Sequence, residues 1–365
     1  MAPVLTPRPG ILDISPYVGG RSRIEGRDKA IKLSSNESAL GPSPHALDAY
    51  RAFGGQLHRY PDGGAAALTQ AIAEVHGLAP ARIVCGAGSD ELLLLLARAY
   101  AGPGDEVLYT EHGFLVYPIA THAVGALPVV APERELTADV DAILARVTAK
   151  TRIVYIANPN NPTGTYLPEA EMRRLRDGLP ADVLLVVDAA YAEFVTAADY
   201  DVGAALVDRG ENTVMTRTFS KIYGLAGLRI GWAYCPPSIA AVLHRIRGPF
   251  NVASPAQAAG IEAVRDQAHV QKARDHNTRW LELLPGMIRQ RGLKVTPGVA
   301  NFVLVHFPDE PGRDAKAADA FLQSRGIIVR NVTNYGLPHC LRMTIGLDHE
   351  MEAVVDALDE FMAAT

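Results

Sequence analysis

The 365-residue chain carries 35 basic and 40 acidic side chains, a net charge of −5, and no run of either sign forms a footprint for nucleic acid. Hydrophobic residues at 48% and charged residues at 21% suit a water-soluble globular protein, and the length predicts two domains. The most apolar runs, "LLLLLA" from Leu92 and "VLLVV" from Val183, fall short of the roughly 20 residues needed to cross a bilayer, which argues against a membrane partner.

The opening "MAPVLTPRPGILDISPY" has prolines where an export segment has an apolar run. From about Lys29 to Trp232, the β-rich runs "IKLS", "RIVC", "EVLY", "LPVV", "RIVYIA", "VLLVVD", "TVMT" and "LRIGWAY" alternate with helical patterns, which predicts a mainly parallel, helix-covered sheet. Between the second and third runs, "SDELLLLLARAYAGPGD" predicts a helix with Ser89 as N-cap. Ser254 and Pro255 predict the start of a long connecting helix that reaches about Arg291 and breaks near Pro285. The strand-like "LKVT", "NFVLVHF", "GIIVRN" and "CLRMTIG" and the amphipathic "DHEMEAVVDALDEFMA" then predict a small α+β domain. The expected division is an arm over 1–28 packed on the small domain, a large domain over 29–250 and a small domain over 251–365.

Cys85, Cys235 and Cys340 lie far apart in apolar runs and predict core residues in a reducing cytoplasm, not a disulfide framework. The histidines form no H-E-x-x-H or similar spacing, so no metal is expected. "CGAGSDE" is a glycine turn between a strand and a helix, a place for an anion such as phosphate or for a plain tight turn. A dinucleotide fingerprint would need a third glycine where Glu91 stands. "IANPNNPTGT" holds a loop open at a strand end, where Asn158 faces a ligand or a surface turn. "VLLVVDAAYAEF" runs an apolar strand into Asp188, a carboxylate that needs a cationic partner if buried. In "TFSKIYGLAGLRIGW", Lys221 is either solvated or held in an apolar setting that lowers its proton affinity, with Ser220 and Arg229 beside it. Together these elements ask for one ligand. A phosphate suits Ser220, Arg229 and the Gly88 turn, a ring nitrogen Asp188, a phenolic oxygen Asn158 and Tyr191, and an aldehyde Lys221; pyridoxal phosphate has all four.

The set "NPNNPTGT", "VVDAAYAEF" and "SKIYGLAGLRIGW", in that order, resembles the class I and II aminotransferases of PLP fold type I, from about Ile14 to the C-terminus. "LSSNESALGPSP", "HRYPDG", "GIIVRNV" and "CLRMTIG" extend the likeness. It implies an α/β fold with a large domain built on a mostly parallel seven-stranded sheet between helices and a smaller α+β C-terminal domain. Lys221 then holds the cofactor's aldehyde and moves a proton between Cα and C4′; Asp188 keeps the pyridine nitrogen protonated. Asn158 and Tyr191 bond the 3′ oxygen, Phe114 stacks on the ring, and Ser220, Arg229, Gly88, Ser89 and Asp90 hold the phosphate. The family's tyrosine in "RYPD", here Tyr60, reaches the phosphate of a neighbouring subunit and so implies a homodimer with shared active sites. Arg342 and Arg330 would grip the substrate's anionic groups, with Tyr17, Asn36 and Asn158 in the same pocket. The implied activity is amino exchange between L-histidinol phosphate and 2-oxoglutarate in histidine biosynthesis. Aromatic amino acids are the alternative donors; a phosphothreonine decarboxylase and a non-catalytic PLP-binding regulator are further readings.

Overall fold

The computed structural model describes residues 5–27 and 29–363; residues 1–4 and 28 of the predicted arm, and 364–365, lie outside it. In chain order the first strands are β1 (Ile31–Lys32), β2 (Ile83–Gly86), β3 (Glu106–Thr110), β4 (Leu127–Ala131), β5 (Glu133–Arg134), β6 (Thr137–Ala138) and β7 (Thr151–Ala157). They continue as β8 (Leu184–Asp188), β9 (Thr213–Thr218), β10 (Gly231–Tyr234), β11 (Lys294–Thr296), β12 (Phe302–His306), β13 (Ile327–Ile328), β14 (Arg330–Asn331) and β15 (Cys340–Thr344). The helices begin with α1 (Pro44–Ala52), α2 (Ala66–His76), α3 (Ser89–Tyr100), α4 (Val116–Ala123), α5 (Val140–Leu144) and α6 (Glu169–Gly178). Then come α7 (Ala204–Asp208), α8 (Pro237–Ile246), α9 (Ser254–Arg265), α10 (Gln267–Gln290), α11 (Ala315–Ser324) and α12 (Asp348–Ala363). None of these helices is long and apolar enough to cross a membrane.

Seven strands form one sheet in the order β2-β10-β9-β8-β7-β3-β4. All pair in parallel except β10, which runs antiparallel to both its neighbours. The sheet is therefore the mostly parallel one that the alternating runs predict. β8 sits at its centre with every residue buried, because both faces are covered and its side chains must be apolar on both. Leu92, Leu96, Tyr117 and Tyr155 belong to the cluster on one side, and Met172, Leu175, Leu185 and Val187 to the cluster on the other.

Several expectations are corrected. "IKLS" does not join the large sheet: β1 pairs in parallel with β13, and Leu33 is buried in the small domain's core. A strand of two residues carries too little pattern to name its partner. The connecting helix breaks at Asp266, whose ψ of 69° is not helical, while Pro285 lies inside α10 without ending it. The large core continues past residue 250, because the small residues of α9, among them Ala256, Ala259 and Ala263, pack on α1 and α2. Val270 and Ala273 at the start of α10 still belong to that core, whereas Trp280, Leu284 and Ile288 belong to the small one. The cap of α3 is Gly88, with Ser89 as the first helical residue; Ala253 likewise precedes α9 in place of Ser254. The arm straddles both domains, since Arg8 donates to the Ala123 carbonyl in the large domain while Arg21 bonds Gln323 and Arg27 the Ser324 carbonyl in the small one.

Next to the central strand, Arg217 of β9 is buried under Trp232 and held by Glu193, with Nη2 to Oε1 at 2.7 Å and Nε to Oε1 at 3.1 Å. Removing one member of such a pair strands the other charge in the core. Glu193→Ala is therefore expected to lower stability by about 3–5 kcal/mol, read from the midpoint of denaturant unfolding.

Candidate active site

The carboxyl ends of β7, β8 and β9 open into a cavity of about 270 Å³ that the loop over 34–37, the start of α3 and strands β14 and β15 close from the other sides. Ligands of open α/β sheets collect at this edge. Asp188 is the last residue of β8, in register with Ala157 and Thr216, and is 4% exposed. Its Oδ2 accepts the Tyr117 hydroxyl at 3.0 Å and its Oδ1 the Thr216 hydroxyl at 3.5 Å. Burial pushes the Asp188 carboxyl up to about 6, against the pull of the hydrogen bonds from Tyr117, the Ala190 N–H and Thr216, with Asp90 adding to the rise.

Lys221 follows β9, its Nζ 3.4 Å from the Ser35 carbonyl and 5.5 Å from the centre of the Tyr191 ring. Among the described residues it has no carboxylate within ion-pair distance. Tyr191, buried, accepts at its hydroxyl from Asn36 Nδ2 at 2.9 Å, and Asn36 is fixed in turn by Thr344 Oγ1, which donates to Oδ1 at 3.0 Å. One hydrogen-bond chain thus crosses from the large domain through the loop to β15.

The anion cup is assembled from three segments. Arg229 Nη1 donates to Ser220 Oγ at 3.2 Å, and Nη2 meets Asp90 Oδ2 at 3.2 Å. Gly88 has a φ of 88°, and a Cβ there would stand 2.5 Å from Arg229 Nη2, so only glycine lets the guanidinium lie against the turn. Gly231 has the same role for β10, since its Cβ would fall 2.3 Å from the Ser89 nitrogen. The first N–H groups of α3 and the guanidinium converge there. Glu91, in the place of a third glycine, folds under the turn and accepts from the Ala87 N–H at 2.6 Å and from Asn251 at 2.7 Å.

At the mouth, Arg330 and Arg342 stand directly opposite each other across the β14–β15 ladder, 8% and 5% exposed. Neither has an acidic partner within ion-pair distance among the described residues. Arg330 Nη2 donates to the Val18 carbonyl at 2.7 Å; Arg342 donates to the Ser34 carbonyl at 2.9 Å and to Asn161 Oδ1, while its Nε has no partner. Two buried like charges face to face are stable only with an anion between or beside them. Phe114 and Tyr17 line the same cavity, edge to face at 6.4 Å.

Asn158 is not part of this lining. Its amide is paired at both ends with Leu167, Nδ2 to the carbonyl at 3.1 Å and Oδ1 from the N–H at 2.8 Å, so it staples the loop while buried outside the cavity lining. Asn161, three residues on in the same run, is the asparagine that faces the cavity. Tyr60 is also outside it, 82% exposed and stacked on Phe250 at 4.6 Å. Sequence reasoning also passed over Tyr117 and Thr344. Tyr117 had one signal, its position one helical turn after Phe114, but in "FLVYPIA" it reads as core.

A large domain with this sheet, a lysine just after β9 and a buried aspartate at the end of its central strand define a class. The family model of class I and II aminotransferases matches residues 28–358, and the chain belongs to that family. It is 60% identical over 358 residues, 98% of this chain and 99% of the relative, to histidinol-phosphate aminotransferase of Paramagnetospirillum magneticum strain AMB-1. The histidinol-phosphate aminotransferase of Rhodospirillum centenum is 59% identical, with 98% of each chain covered. Among solved structures, histidinol-phosphate aminotransferase from Sinorhizobium meliloti in complex with pyridoxal-5'-phosphate matches with a TM-score of 0.86 at 31% identity, over 93% of this chain and 92% of that one.

The raised proton affinity of Asp188 has a sign. The native carboxyl keeps its proton up to about 6, whereas the unfolded one releases it near 3.8, so ligand-free protein loses stability as pH rises through that window. Asp188→Asn removes the loss. Its ligand-free melting temperature is expected to exceed that of the unsubstituted protein by a few degrees near neutral pH, with the gap closing toward about pH 4 in a thermal scan series.

Proposed function

We propose that this protein transfers the amino group of L-histidinol phosphate to 2-oxoglutarate, giving imidazole acetol phosphate and L-glutamate, with pyridoxal 5'-phosphate as cofactor. The observation that carries the substrate is the pair Arg330 and Arg342, two buried guanidinium groups without an acid at the mouth of a cavity that also holds Lys221 and Asp188. Histidinol phosphate offers them a phosphate, and glutamate a second carboxylate, so one site serves both halves of a ping-pong exchange.

The residues fit the cofactor. Arg229, Ser220 and the N–H groups after Gly88 form a cup that its phosphate matches, and only glycine leaves room there. Asp188 lies at the base for the ring nitrogen, Tyr191 and Asn161 are placed for the 3′ oxygen in the role expected of Asn158, and Phe114 lines the side for stacking. When bound, pyridoxal phosphate supplies an aldehyde conjugated to a protonatable ring that stores the electron pair released at Cα. Asp188, as a carboxylate, stabilises the proton on the ring nitrogen. Lys221, with no acid within ion-pair distance among the described residues, would serve as the base that takes the substrate's Cα proton and passes it to the cofactor. Asn36 holds the Tyr191 hydroxyl, Arg342 orients the substrate anion, and the closing loop excludes water from the exchange. The exposure of Tyr60 on its own chain supports a homodimer in which it reaches the cofactor phosphate of a second copy, and the proposed setting is the cytoplasm.

Paired rates with L-histidinol phosphate and L-phenylalanine, each with 2-oxoglutarate, test the substrate. Histidinol phosphate is expected to dominate kcat/KM; turnover of phenylalanine alone would make the protein an aromatic aminotransferase. Arg342→Gln is expected to raise KM for histidinol phosphate and glutamate together by about 10–100-fold, the loss of a charged hydrogen-bond pair. Asn161→Ala is expected to weaken cofactor retention about tenfold, whereas Asn158→Ala lowers the melting temperature with less effect on retention; titration with the cofactor and thermal scans separate them.

A further inference from the structure

Two stacked tyrosines stand behind Asp188, and only one is aimed at it. The rings of Tyr117 on α4 and Tyr155 on β7 lie parallel, 4.8 Å apart with 4° between planes. Tyr155 sends its hydroxyl away, to the Leu93 carbonyl at 2.8 Å. Tyr117, fully buried, sends its hydroxyl to Asp188 Oδ2 at 3.0 Å and packs edge to face against Phe114 at 6.0 Å and 89°. Phenylalanine would fill the same space without burying a hydroxyl, so packing alone does not account for the phenol.

The carboxylate has few other donors. Thr216 reaches Oδ1 only at 3.5 Å, and the Ala190 N–H is the remaining contact. Asp90 from α3 disfavours a second negative charge there, while the phenols of Tyr117, Tyr155 and Tyr200, whose proton affinity burial and Asp188 raise, stay neutral. Burial acts on Asp188 the same way as Asp90 does. A neutral Asp188 would pair with an unprotonated ring nitrogen and leave the ring a poor store for electrons.

We propose that Tyr117 is a positioning residue for the reaction, its hydroxyl holding Asp188 as a carboxylate turned toward the cofactor's ring nitrogen while its ring supports Phe114 beside that cofactor. The proposal rests on the pyridoxal phosphate reading above. Tyr117 does not touch the reacting atoms; it acts through Asp188.

The test compares Tyr117→Phe with Tyr155→Phe, which removes a hydroxyl from the same stack without touching Asp188. Ligand-free proteins are titrated with pyridoxal phosphate, and the bound cofactor is made with a 15N-labelled ring so that its NMR shift reports whether the nitrogen carries a proton. Tyr117→Phe is expected to weaken cofactor binding about tenfold, the loss of one hydrogen bond to a charged group. It should move the 15N shift toward the unprotonated position and lower kcat with little change in KM for glutamate. Tyr155→Phe is expected to keep the shift and the affinity of the unsubstituted protein and to alter only the melting temperature. An unchanged 15N shift in Tyr117→Phe, or the same displacement in both variants, overturns the proposal. Should Tyr117→Phe fail to fold, 3-fluorotyrosine at 117 keeps the ring and strengthens the donor. It is expected to leave the nitrogen at least as protonated, and a move the other way overturns the proposal. If the unsubstituted protein binds no pyridoxal phosphate, the functional reading falls and this inference with it; normal binding with an indifferent Tyr117 removes the inference alone.

Discussion

A carboxylate at the end of the buried central strand is the constraint around which this molecule is arranged. Asp188 ends the central strand and is 4% exposed, where an unpaired charge is costly, and each neighbouring element supplies something that offsets the cost. β9 brings Thr216 in register, α4 brings the Tyr117 phenol, and the turn after the strand brings the Ala190 N–H. Asp188 still lines the cavity, where the ring nitrogen of the proposed cofactor would complete the set. The strand order follows from the same need, because a parallel sheet covered on both faces is the setting in which a strand can be apolar throughout and still end in a polar group.

The small domain contributes the opposite charge. Arg330 and Arg342 are neighbours across a ladder, and their separation is set by strand geometry and not by flexible side chains. Arg342 is also tied to the Ser34 carbonyl and to Asn161, one on the loop that crosses between domains and one on the loop that follows β7. The path from Tyr191 through Asn36 to Thr344 makes a second tie. The two arginines and the groups around Asp188 and Tyr191 are therefore held in one frame, although they belong to two cores.

Much of this was legible in the residues. The strands of the large sheet were carried by apolar runs long enough to declare themselves, and the Ser220–Lys221–Arg229 spacing, Asp188 and the two arginines stood out because their charges sit where burial is expected. What was hidden depends on tertiary partners. Asn158 and Asn161 have the same chemistry three residues apart, and only the Leu167 backbone decides which amide is used up. β1 is two residues whose partner lies almost three hundred positions downstream. The break in the long helix falls at Asp266, with no proline or glycine to mark it, because the packing of α9 on α1 and α2 sets the turn. Tyr117 sat in an apolar helix and gave no hint that its hydroxyl had a partner on a strand seventy-one residues later.

The pairing of Arg229 with Asp90 has a consequence for how the cup fills. The guanidinium does not wait in water as a bare cation, since a carboxylate on the first turn of α3 already leans on it from 3.2 Å. A phosphate bound in the proposed cup would compete with that carboxylate for the guanidinium and would not meet a vacant charge. Because Asp90 keeps its charge on α3, a phosphate there would add its own negative charge to the cup, and salt would screen the competition between the two anions. A displaced Asp90 would stay covalently at hand, ready to reclaim the arginine whenever the cup empties.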